Sequence, residues 1–191
     1  LDFDIGPNDY DLMIKLRNAG TDHRKFMRMI TVYVDVTAPL YWWKEFDTYK
    51  VGTVANSTST MHKLAETPIT LECFETDDMP DYFFMSKKLR NSKVYYEAFI
   101  NWLEELRLKY LETNDERYWK ELIRWLPESW LQTRTVTMSY ENLFSIVFHR
   151  GYHKLKAEWC DGFIKWCTTL PYAKELIFHG EEREKIYNLY A

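Results

Sequence analysis

Thiols are few in this chain and poorly spaced for pairing. Cys73, Cys160 and Cys167 form an odd set without a Cys-x-x-Cys spacing. That argues against a disulfide framework or a thiolate zinc site and makes a reducing cytoplasm the expected compartment. No apolar run reaches the roughly 18–20 residues needed to span a bilayer. The opening Leu1-Asp2-Phe3-Asp4 has no basic segment followed by an apolar block, so neither a membrane helix nor a signal peptide is expected. A long basic run is also missing, and the formal charge is -4, which disfavours a nucleic-acid binder working by broad electrostatics. Internal repeats and low-complexity tracts are absent. Aromatic side chains are abundant, with 8 Trp, 14 Tyr and 11 Phe among 191 residues. Aromatics at this level fill a core, line subunit interfaces or stack on flat ligands. The length suits one domain, residues 1–191, with a substantial core.

Periodicity places the elements. Asp11 to Ala19 reads as a short helix stopped by Gly20. Arg28 to Thr37 alternates Ile30, Val32, Val34 and Val36 against Met29, Thr31, Tyr33 and Asp35, the pattern of a strand, and Pro39 ends it. Tyr41-Trp42-Trp43 opens a stretch of mixed polarity that leads to Gly52 and the run Asn56-Ser57-Thr58-Ser59-Thr60. Glu66 to Asp81 reads as a loop or mobile excursion. Tyr95, Phe99, Trp102, Leu106 and Tyr110 predict one face of a long helix from Ser92. Asn114 is the expected N-cap of the next helix, whose stripe is Trp119, Leu122, Ile123 and Leu126, closed by Pro127. Thr133 to Met138 is β-branched and extended. A helix then runs from Ser139 to Arg150, burying Leu143, Ile146 and Val147, with Gly151 placed to end it. Leu155, Trp159, Phe163 and Trp166 define a further helix, and Thr169 with Pro171 starts a last one through Ile177.

Several residues are candidates for chemistry on their own terms. Eleven residues return a helix to nearly the same azimuth, so Ser139, Leu143, Ile146 and Arg150 share a face. An Arg on a core-facing stripe must meet an anion, because a desolvated unpaired charge is very costly. That anion is either a ligand or an internal carboxylate, with Glu158 and Glu141 the obvious partners. The Ser/Thr/Asn run around Asn56 and Ser59 offers hydroxyls and backbone N–H groups if it enters a helix, a natural phosphate site and equally an ordinary cap. His149 and His153 have the spacing of paired metal ligands, but Gly151 between them and the lack of a following Glu argue against zinc. Cys160 has no His at helical spacing to activate it. No catalytic residue is assigned.

The order Leu126-Pro127, Thr135-Val136-Thr137-Met138, Ser139-Tyr140-Glu141-Asn142-Leu143, Phe148-His149-Arg150 and Ala157-Glu158 resembles flavin-dependent thymidylate synthases. The resemblance implies an α+β fold in which a small, mostly antiparallel sheet is packed with several helices. It implies FAD as cofactor, deoxyuridine monophosphate and methylenetetrahydrofolate as substrates, NADPH as ultimate reductant, and a homotetramer with flavin and nucleotide between subunits. In that family the Arg at position 150 contacts the nucleotide. Ser139 falls where the family has an Asn near the flavin, and Glu141 where it often has an Arg. Ile123 occupies the register of a further nucleotide-binding Arg; Arg124, one place over, is the substitute, although it shares a solvated basic face with Arg117 and Lys120. The family signature of Arg-His-Arg, Ser, Asn-Glu, Ser and Arg-Tyr corresponds in order to Trp42 to His62. Asn56 and Ser59 keep the Asn and second Ser, Ser57 replaces the Glu, and Met61-His62 stands for Arg-Tyr. The triplet is missing; its window is Phe46-Asp47-Thr48-Tyr49-Lys50, where Lys50, together with His62, supplies a cationic donor and Asp47 opposes an anion. The resemblance thus nominates Arg150, Ser59 and Arg124 for the nucleotide and Asn56, Ser139, Lys50 and His62 for the flavin. The competing functions are another flavin- or nucleotide-dependent enzyme on the same fold and a non-catalytic nucleotide-binding or assembly protein.

Overall fold

The computed structural model describes residues 5–58, 63–83 and 89–191. In chain order the regular elements are α1 (Pro7–Asn18), β1 (Thr31–Pro39), α2 (Leu40–Phe46), β2 (Val54–Ser57), β3 (Asp81–Phe83), β4 (Leu89–Asn91), α3 (Ser92–Thr113), α4 (Glu116–Trp125), β5 (Leu131–Ser139), α5 (Tyr140–Arg150), a π-helical segment (Lys156–Ile164), α6 (Lys165–Thr168), α7 (Ala173–Leu176) and α8 (Glu181–Tyr190). The fold is α+β: a three-stranded antiparallel sheet of order β1-β5-β2 and an antiparallel β3-β4 pair, among predominantly helical chain. The chain forms two compact units. One comprises Leu1–Val34, Asp47–Ala55 and Thr135–Ala191; the other comprises Asp35–Phe46 and Asn56–Arg134.

In the first unit, α5 supplies the central buried stripe, with Leu143, Ile146 and Val147 fully inside, as the heptad-like spacing predicts. Trp159, Ile164, Cys167, Ile177 and Phe178 are buried in the same unit. Each large apolar side chain removed from water contributes roughly 1.5–3 kcal/mol. Burial pushes the Tyr140 hydroxyl up to about 12, and it donates to Pro171 O at 2.8 Å. The segment after Leu155 is π-helical rather than α-helical, so its hydrogen bonds step by five residues and Trp159 and Cys160 are both buried beside Phe163 and Ile164. Gly151 ends α5 as expected, but with φ of -62°. Its small size answers a packing need, since a Cβ there would collide with the Ile186 side chain of α8. The last helix expected from Thr169 is only the short α7, and α8 lies beyond it.

The second unit is built on α3 and α4, with a core of Leu64, Ile69, Phe74, Ile100, Leu103 and Leu122. The face of α3 is displaced from the expected one. Ile100 and Leu103 are the buried apolar positions, while Phe99, Trp102 and Leu106 are half-buried at the flanks. Long aromatic side chains reach the core from the edge of a stripe, so the centre falls on smaller residues. Asn114 is not the N-cap of α4. It closes α3 in the left-handed conformation, φ 55°, and Asp115 caps α4 by accepting from Arg117 N. Within Glu66 to Asp81 the chain is pinned rather than loose: Ile69 and Phe74 are buried, Leu71–Cys73 form a 3-10 turn and Phe74 makes an antiparallel bridge to Trp130. Arg107 is only 6% exposed. It is held by Glu104 at 2.6 and 2.7 Å and donates to Ala65 O at 3.1 Å. Trp42, Trp43 and Phe46 of α2 are buried, and Trp43 Nε1 donates to Gln132 O at 2.9 Å.

Candidate functional site

The site of the first unit is framed by the two ends of α5. At its start Ser139 Oγ accepts from Asn142 N at 3.3 Å, and Asn142 Oδ1 accepts from Ser139 N at 3.0 Å. This reciprocal capping box explains why the helix begins where it does. Asn142 Nδ2 also donates to Val51 O at 2.7 Å. That bond anchors the Asp47–Thr53 turn, where Gly52 adopts φ 79° and lies close against Asn142.

The same turn reaches the other end of α5. Arg150 Nε donates to the Tyr49 hydroxyl at 2.9 Å, and Arg150 Nη1 lies 2.8 Å from His153 Nε2. The guanidinium carbon stands 4.9 Å from the Trp159 ring centroid and 5.5 Å from that of Tyr49. Tyr49 and His153 each meet Trp159 edge-on, with ring centroids at 6.4 and 6.0 Å. The result is a half-buried cation set among aromatic rings, an arrangement that favours a guanidinium electrostatically and fixes its plane. Cys160 donates its thiol to the carbonyls of Arg150 and Gly151 at 3.6 and 3.5 Å, and Tyr190 OH donates to Gly151 O at 3.1 Å. Cys160 is thus buried beneath the helix end and is no exposed nucleophile.

Arg150, Ser139 and Lys50 therefore belong to one framework, with Lys50 exposed on the turn between Tyr49 and Val51. Ser139 and Arg150 are nevertheless about 16 Å apart along the helix. The Ser139 hydroxyl is engaged in the cap. Glu141, considered as a partner for Arg150, instead pairs with Arg28 and lies 3.7 Å from Arg24 Nε. The bond to Glu141 holds the Arg28 guanidinium above its usual range. Arg24 and Arg183 both approach the Phe144 ring, at 4.5 and 3.6 Å, and Arg183 Nε donates to Phe144 O at 2.9 Å. Burial, and then the nearby Arg24 charge, lower the Arg183 pKa.

Two of the remaining nominated residues, Asn56 and Arg124, belong to the second unit. Asn56 is exposed in β2 of the second unit. Arg124 is exposed on α4, paired with Glu121, which also accepts from Trp125 Nε1 at 2.6 Å; the solvated-face reading describes it. Ser59 and His62 lie outside the described residues. The Asn56-Ser57 part of the polar run is strand. His149 Nδ1 faces Ser145 O at 2.8 Å while His153 faces Arg150, so the two do not converge as a metal pair. Among the described residues no His/Cys/Asp/Glu group is fit for a metal, and no helix is long and apolar enough to cross a membrane. Sequence reasoning missed Tyr49, His153 and Trp159 as neighbours of Arg150. It also missed Arg24, Arg28 and Arg183, whose sequence spacing carries no signal of their meeting.

No family model matches the chain, and no curated protein sequence does. Solved structures do. A thymidylate synthase X from Helicobacter pylori, determined with FAD and dUMP, is 17% identical with a TM-score of 0.66, covering 94% of this chain and 85% of the other. A second structure, the flavin-dependent enzyme of the same organism complexed with FAD and dUMP, is 16% identical with a TM-score of 0.60, covering 91% of this chain and 83% of the other. At such identity the likeness establishes the fold.

Proposed function

We propose that this chain binds a pyrimidine nucleoside monophosphate through Arg150 and acts as a flavin-dependent thymidylate synthase-like enzyme, methylating deoxyuridine monophosphate. The observation that carries the reading is the setting of Arg150. Tyr49 and His153 lie within hydrogen-bond distance of its guanidinium, and the Trp159 ring packs against it. An oriented guanidinium offers a fork of N–H donors that matches a phosphate. The aromatic rings beside it, set edge to face, suit contact with a flat base.

The start of α5 fits the charge of a flavin dinucleotide. Arg24 and Arg28 share Glu141, which leaves net positive charge there, and Lys50 is exposed on the tethered turn. Arg24, Arg28 and Lys50 are the residues that would hold the pyrophosphate, whereas Ser139 acts through the cap. Reduced FAD would supply the hydride that completes transfer of the methylene from methylenetetrahydrofolate, with NADPH as ultimate reductant. The chain's own contribution is to bind, orient and neutralise. A homotetramer in the cytoplasm belongs to the same proposal.

Absorbance near 450 nm on native protein, with mass spectrometry of the small molecule released on denaturation, tests the flavin. Thermal stabilisation by deoxyuridine monophosphate, and its loss in Arg150→Ala, tests the nucleotide site. Bound flavin without stabilisation would favour a second reading, another flavin- or nucleotide-dependent reaction on this fold. The observation behind that alternative is Glu141, an acid engaged by Arg24 and Arg28 at the α5 start, together with Asp47 in the window of the missing Arg-His-Arg. Absence of flavin with nucleotide binding retained would favour a non-catalytic binding or assembly protein.

A further inference from the structure

A cleft of about 400 Å³ opens in the first unit between α1, the start of β1 and the segment around α7. Met13 of α1, Ile30, Val32 and Leu176 of α7 give it apolar walls, and among the described residues no charged side chain lines it. Its frame is fastened on several sides. Tyr140 N donates to Ile30 O at 2.9 Å, the Tyr140 hydroxyl donates to Pro171 O at 2.8 Å, and Arg17 Nη1 donates to Glu175 O. Walls held in this way lose little freedom when a ligand enters. The wall at Tyr172 is strained. Leu170 O accepts from Ala173 N at 3.1 Å, closing a turn with Pro171 second and Tyr172 third. Tyr172 has φ of 53°, a left-handed conformation that such a turn ordinarily gives to Gly or Asn. A bulky residue kept there marks a side chain whose position matters. The Tyr10 ring backs it, with centroids 6.1 Å apart.

Size and charge limit what fits. A dry apolar cavity of about 150 Å³ takes one benzene ring, and small-molecule sites span roughly 300–1,000 Å³. A formal charge placed here would lose water without meeting an opposite charge, at a high cost. Neutral hydrogen bonding is available instead. Thr31 and Tyr172 bring hydroxyls to the lining, each able to donate or accept, while the Tyr140 hydroxyl already donates to Pro171 O. We infer that this cleft binds an uncharged aromatic molecule of about two or three rings bearing a neutral hydrogen-bonding group. None of its lining residues takes part in the Arg150 reading, so the two stand or fall separately.

The test uses the full chain and two fluorescent dyes built on the same rings. N-phenyl-1-naphthylamine is neutral, and 1-anilinonaphthalene-8-sulfonate is its charged counterpart. Fluorescence of the neutral dye is expected to saturate at one dye per chain, and the dye to raise the melting temperature. The sulfonate should bind at least about tenfold more weakly. Thr31→Trp, at an exposed lining position, fills the cleft and should abolish binding of the neutral dye. Tyr172→Gly relieves the left-handed backbone but removes the ring, and should weaken the neutral dye by about threefold to tenfold. Cooperative melts of both variants establish that they fold. No saturable binding by the wild-type chain, equal affinity for the two dyes, or wild-type affinity in either variant would overturn the inference. Loss of dye binding as chain concentration rises would assign the cleft to a second copy and overturn it equally.

Discussion

Tyr49 and Arg150, separated by 101 positions, are joined by a 2.9 Å hydrogen bond from the guanidinium Nε to the phenolic oxygen. The phenol is a neutral acceptor, so it fixes the direction of the charge while leaving its sign intact. A residue positioned in this way gains affinity for an anion because less side-chain freedom is lost on binding.

Removing that positioning should be measurable apart from removing the charge. Arg150→Ala is expected to weaken deoxyuridine monophosphate binding by roughly 10–100-fold, the range for charge-assisted bonds. Tyr49→Phe keeps the ring and should cost only about threefold to tenfold. Arg124→Ala, which removes an exposed partner of Glu121, should stay within about twofold. Isothermal titration of the three variants checks the order; equal and negligible effects would sink the Arg150 site.

Ser139 is predicted to matter for stability more than for cofactor binding. Its hydroxyl accepts from Asn142 N in the capping box. Ser139→Ala should lower unfolding free energy by about 1 kcal/mol. Flavin content per folded chain should remain unchanged. Urea denaturation and absorbance of the same preparation separate the two roles, and a loss of flavin without a loss of stability would restore Ser139 as a ligand contact.

At Gly151 the expected effect comes from volume. A Cβ would collide with Ile186, and Gly151→Ala should destabilise by roughly 1–3 kcal/mol as overpacking does. Adding Ile186→Ala should recover part of that loss, giving a non-additive double-mutant cycle. Additive losses would show that backbone conformation, rather than this contact, is what requires glycine.

Acid sensitivity is expected in the second unit. The Arg107 guanidinium holds the Glu104 carboxyl below its ordinary 4.5, helped by the backbone N–H of Ile69. A depressed folded-state pKa means that the bond stabilises fully above the unfolded value. The contribution disappears as pH falls from 4.5 through the lower folded value. Glu104→Gln should therefore be less stable than the wild-type chain at pH 7, with the difference shrinking towards pH 3. Urea melts at the two pH values test it, and a gap that persists at pH 3 would assign the effect to packing.

Legibility followed locality. The alternation of β1 and the limits of α5 were readable because each rests on neighbours in sequence: burial alternates from Val32 to Val36, and Ser139 and Gly151 bracket one apolar stripe. Asn114 deceived because the same short polar side chain suits a cap and a left-handed helix end, and Asp115 beside it took the cap. The π-helical segment was unreadable, since Leu155, Trp159 and Phe163 fit α spacing as well as they fit the buried face observed. At the site, Arg150 stood out by its place on a core stripe. Tyr49 and Trp159 did not, because their meeting depends on a turn pinned by Asn142 from elsewhere in the chain.

That pinning makes α5 a ruler. Asn142 holds the turn at Val51, and Arg150 meets it at Tyr49. The distance between these fastenings is set by helical rise. One residue inserted between Asn142 and Arg150 would carry the guanidinium about 100° around the axis and about 1.5 Å along it, while the turn stayed fastened at Val51. Sequence drift within the helix is compatible with the site; a change in its length is not.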